Sequence, residues 1–65
     1  MAIAKVIEVI AEGNTVEAAM EAAVVGASKS VRNIKSVWAD SFQGVVEDGV
    51  VTKYRVNCKV TFIVD

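Results

Sequence analysis

The sequence predicts an α+β fold, strand-helix-strand-strand, with one helix packed on a three-stranded antiparallel sheet. Three observations carry that expectation. From Val50 to Val64 the chain alternates almost without fault, Val50, Thr52, Tyr54, Val56, Cys58, Val60, Phe62 and Val64 on one side, and Val51, Lys53, Arg55, Asn57, Lys59, Thr61 and Ile63 on the other. Upstream, Val16, Ala19, Met20, Ala23, Val24, Ala27 and Val31 recur at the three- and four-residue steps of a helix. Between Ile34 and the last strand lies Glu47-Asp48-Gly49, and Asp-Gly is a strong signal for a two-residue hairpin turn.

The elements follow in order. Ile3 to Ala11 is rich in β-branched residues and bounded by Gly13-Asn14, so it reads as the first strand. Lys5 and Glu8 fall on opposite faces of it, leaving both faces largely apolar, as suits a strand in the middle of a sheet or at a subunit contact. Asn14 and Glu17 have capping-box spacing, which starts the helix at Asn14. The helix is expected to run to Arg32-Asn33, with Lys29 and Arg32 suiting its negative end. Gly26 within it marks either close packing or a weak point.

Ile34 to Glu47 is the second strand. A turn at Asp48-Gly49 sets Trp38 across from Lys59, Asp40 across from Asn57 and Ser36 across from Thr61. Strict alternation would leave Phe42 beside Arg55, and a bulge near Gln43-Gly44 would return it to the core.

Length and composition bound the function. The 65 residues make one domain, 1–65, small enough to be marginal alone. One cysteine excludes an internal disulfide, and with no histidine a metal site is poorly supplied, so oligomerisation is the remaining common remedy. Hydrophobic residues make up 54% of the chain, more than one helix on one sheet can hide. A net charge of −1 lacks the basic footprint of a nucleic-acid binder. No apolar run is long enough for a membrane span and the amino terminus lacks a signal-peptide pattern, so the expected location is cytoplasmic.

Catalysis finds no support, because there is no histidine partner for a nucleophile, no phosphate-cradling glycine loop and no carboxylate pair placed by spacing. Cys58, between Val56 and Val60, reads as a small buried hydrophobe. The chemistry lies instead with Trp38, which the register sets on one face with Ser36, Lys53, Arg55, Asn57 and Lys59. An aromatic platform beside cations suits a planar anionic ligand such as flavin mononucleotide, coenzyme A or a nucleotide. The competing reading has Trp38 filling a subunit contact and the cations merely solvated.

Lys5-Val6-Ile7-Glu8, Ser30-Val31-Arg32-Asn33-Ile34 and Tyr54-Arg55-Val56-Asn57-Cys58-Lys59-Val60-Thr61-Phe62 together resemble the dodecin family over nearly the whole chain. The resemblance implies a hollow homododecamer that stores flavin, riboflavin, FMN or FAD, without catalysis; some members also bind coenzyme A. It also implies a tryptophan early in the second strand that stacks on the flavin ring, and a glutamine in the third strand, after an aromatic residue, that bonds the ring edge. Gapless matching puts Ser36 at that tryptophan position and Arg55 at that glutamine position. Trp38 lies two residues further along, on the same face, displaced by about 6.5 to 7 Å. Arginine only donates, so Arg55 is left to bond flavin carbonyls, to bind phosphate, or to pair with Asp40 or Glu8. The alternative is a structural assembly that has lost the usual flavin site and binds coenzyme A, another anion or nothing.

Overall fold

The computed structural model describes residues 2–64; Met1 and Asp65, the ends of the expected domain, lie outside that range. Strand β1 spans Ile3–Gly13, helix α1 Val16–Ala27, strand β2 Ile34–Glu47 and strand β3 Val50–Val64. All pairings are antiparallel, in the order β1-β3-β2. The strand-helix-strand-strand order and the single helix on a three-stranded sheet are as the sequence predicts. The long alternating strand, β3, takes the centre. The apolar β1 is an edge strand, so the expectation that it lies mid-sheet fails and its open flank remains to be covered.

Helix α1 starts one residue later than expected: Thr15, not Asn14, is the N-cap, its hydroxyl accepting the Ala18 amide at 3.0 Å. It also ends early, at Ala27. Ser28 caps it, donating its hydroxyl to the Val25 carbonyl at 2.8 Å, and Asn33 adopts φ 61° to turn the chain into β2. Lys29 and Arg32 therefore lie beyond the helix, and no basic residue stands in its last turn. The serine back-bond and the left-handed asparagine offer the backbone other hydrogen bonds than a further helical turn would.

The small-residue stripe does what its spacing implies. Ala19, Ala23 and Ala27 are buried, and Ala19 and Ala23 join Val56 and Cys58 in the core, flanked by Val9, Ala11, Val16, Met20, Val37 and Ala39. Alanine lets the helix axis come close to the sheet. The approach is tightest at Gly13, where a Cβ would stand 2.7 Å from the Ala19 amide nitrogen. Gly26 is different, for a Cβ there would meet nothing within 4 Å, so it is a weak point and not a close contact within the chain. Cys58 is buried against this layer, and burial raises its thiol pKa above the ordinary value.

The hairpin turns at Asp48 and Gly49, both with positive φ (51° and 75°), the conformation that Asp-Gly favours between twisted strands. Three irregularities break the β2–β3 ladder, two of them between the turn and Trp38. Thr52 is an extra residue on β3 between the Val46↔Val51 and Val45↔Lys53 pairs, with its hydroxyl donating to the Val45 carbonyl at 3.3 Å. Asp40 is an extra residue on β2 between Ala39↔Cys58 and Ser41↔Asn57. The bulge expected at Gln43-Gly44 is thus at Asp40 instead, and Asn57 faces Ser41, not Asp40.

The two shifts cancel, which is why Trp38 pairs with Lys59 and Ser36 with Thr61 as the turn alone predicts. The Thr52 irregularity also exchanges the faces at the hairpin tip, setting Val51 on the helix side beside Gly44, opposite to the simple alternation. Phe42 pairs with Val56 and so sits on the helix side, yet it is 64% exposed, because α1 lies chiefly over β1 and β3. A third irregularity, at Lys35, separates Ile34↔Phe62 from Ser36↔Thr61.

Candidate ligand-binding face

The face of the sheet turned away from α1 is assembled row by row from the two ladders. Glu8, Lys59 and Trp38 form one row; Ile10, Asn57 and Ser41 the next; Glu12, Arg55 and Gln43 the one after. Val6, Thr61 and Ser36 extend it at one end, and Lys53 with Val45 at the other. All six sequence-derived candidates, Ser36, Trp38, Lys53, Arg55, Asn57 and Lys59, therefore share this face. Trp38 is 71% exposed on the edge strand β2, and Val6 and Ile10 are exposed apolar residues on the opposite edge strand, β1.

The cations are not free. Glu12 accepts from Arg55 Nε at 2.8 Å and Nη2 at 2.7 Å through one oxygen, and its other oxygen lies 3.0 Å from Lys53 Nζ. Lys59 Nζ stands 3.8 Å from Asp40 Oδ1, brought over by the bulge. Of the partners open to Arg55, the structure thus selects neither Asp40 nor Glu8. The bonds from Lys53 and then Arg55 hold the Glu12 carboxyl below the usual carboxylate range. One carboxylate against two cations leaves that end of the face with a surplus positive charge.

Two residues of this face escape sequence reasoning. Glu12 lies four residues after Glu8 in β1, so period-two alternation puts both on one face, but its partner emerges only from the β1–β3 register. Gln43 reaches the face through the Asp40 bulge, since unbroken alternation from Trp38 would turn it toward the helix. Its exposed amide takes no part in the Glu12 bridge.

Solved structures share this architecture. A Thermus thermophilus protein superposes with a TM-score of 0.91 at 24% identity, covering 100% of this chain and 97% of the other. Crystal structures of mutants of the T. thermophilus dodecin behave alike: an arginine-to-alanine mutant gives 0.90 at 24% identity, covering 100% and 98%. A tryptophan-to-phenylalanine mutant gives 0.89, again at 24%. At that identity the likeness establishes the fold. No curated protein matches the chain. The family model for dodecin matches residues 3–65, and the chain belongs to the dodecin family.

Proposed function

We propose that the chain forms a dodecin-type homo-oligomer, a dodecamer on the family pattern, that binds and sequesters a flavin such as riboflavin or FMN without catalysis. The observation that carries this reading is Trp38: a tryptophan left 71% exposed on a strand face by the described residues. An exposed indole offers a stacking surface, apolar Val6 and Ile10 add exposed apolar area on the opposite edge strand, and the rows of Asn57 and Arg55 supply polar groups between, the usual anatomy of a small-molecule site. Trp38 stacks on the ring; Lys53, Arg55, Asn57, Lys59 and Ser36 line the surface that orients its polar end. A flavin laid there loses water on its apolar face and is shielded from reaction, which is what storage requires.

Among the described residues no helix is long and apolar enough to cross a membrane. The large exposed side chains, Ile3, Val6, Ile10, Trp38, Phe42 and Val46 among them, favour burial against further copies. The test is titration of riboflavin and FMN with purified protein. Quenching of flavin fluorescence at micromolar protein, in an assembly far heavier than one chain, is the expected result; absent quenching, or a sedimentation mass near one chain, overturns it.

One observation favours the second reading, a structural assembly that holds coenzyme A, another anion or nothing. Lys53 and Arg55 already spend donors on Glu12, which weakens them as ligand contacts. In that case Trp38→Ala dissociates the oligomer, and any coenzyme A binding is salt-sensitive and not displaced by flavin.

A further inference from the structure

We infer that Gln43 is the residue that reads the polar edge of the ligand, while Arg55 and Glu12 form a fixed floor beside it. This deepens the flavin reading above and rests on it. The edge of a flavin's pyrimidine ring presents carbonyl, N–H, carbonyl in sequence. Matching it requires a group that both donates and accepts, which an amide side chain does and a guanidinium does not.

The Asp40 bulge delivers such a group. It rotates the strand so that Gln43 faces outward directly across from Arg55, close enough for side-chain contact between strands. Arg55 is held by Glu12 through Nε and Nη2, so it is anchored, whereas the Gln43 amide is exposed and outside that bridge. Asn57 is the other amide on the face, but it stands on the central strand, half-buried and one methylene shorter, which keeps it near the floor. The Gln43 row lies four β3 residues from the Trp38 row, from Lys59 to Arg55, a spacing of about 13 Å. A tricyclic ring stacked on Trp38 and running along the strands, together with the reach of the glutamine side chain, spans that interval.

The experiment compares riboflavin with its N3-methyl analogue, which lacks the imide proton, by fluorescence titration of the assembled protein. Wild type is expected to bind riboflavin about ten-fold more tightly, the worth of one or two neutral hydrogen bonds. Gln43→Leu is expected to weaken riboflavin by a similar factor and to erase the preference, while saturating quenching by Trp38 persists. Equal affinity of wild type for the two flavins overturns the inference whatever the variants do. So does a preference that survives Gln43→Leu but disappears in Asn57→Ala. Riboflavin binding without discrimination rejects Gln43 alone, whereas no quenching by either flavin removes the storage reading and this inference with it.

Discussion

The two faces of β3 are built from the same fifteen residues but held by different physics. Toward the helix, Val56, Cys58 and Val60 are buried against alanines and their positions are dictated by close packing. Away from it, Lys53, Arg55 and Lys59 are ordered by ion pairs between exposed groups, which contribute little to stability and are screened by salt. The first face specifies the fold. The second is free to be specified by something else, and its exposed tryptophan belongs to that side.

The largest expected effect comes from asking neighbouring positions the same question. Val56→Asp would place a charge in the core with no partner, and a loss of about 3 kcal/mol or more is enough to unfold so small a domain. Asn57→Asp, one residue on but facing outward, should stay within about 0.5 kcal/mol of wild type by denaturant melting. Similar losses at both positions would break the contrast between the faces.

A smaller effect, of opposite sign, is expected on the helix. Among the described residues nothing approaches a Cβ at Gly26, so Gly26→Ala, in the last turn of α1, should stabilise by about 0.4 to 1 kcal/mol through helix propensity. Destabilisation there would place a neighbouring copy against the outer side of α1 and sharpen the picture of how the assembly is covered.

The smallest concerns the Glu12 bridge. Its carboxyl pKa is lower folded than unfolded, so the contribution is present above the unfolded value and fades as pH falls through the folded one. Glu12→Gln should therefore lower stability slightly at neutral pH and low salt, and the deficit should vanish in acid or at high ionic strength. A deficit that persists at low pH would mean that Glu12 acts by packing and not by charge.

The same division explains what the sequence discloses. The buried face was legible because alternation and the alanine stripe are repeated over many residues, and the end of β2 at Glu47 was legible because the Asp-Gly turn follows it directly. Trp38 opposite Lys59 came out right only because the irregularities at Thr52 and Asp40 cancel. Bulges leave no mark beyond a broken alternation, so Phe42 announced that one existed but not where. The helix end misled for a related reason: Val31 continued the apolar period, while Ser28 and Asn33 redirected the backbone. Glu12 stayed hidden because its partners are distant in sequence and depend on how β1 aligns with β3.

Trp38 is the sole tryptophan, so its emission reports on the open face alone. The most direct test follows that emission, corrected for absorption, as FMN or riboflavin is added to the assembled protein. Saturable quenching of Trp38 in step with quenching of the flavin is the predicted result. Tryptophan emission unchanged at micromolar protein and ligand would contradict the assignment of this face to flavin.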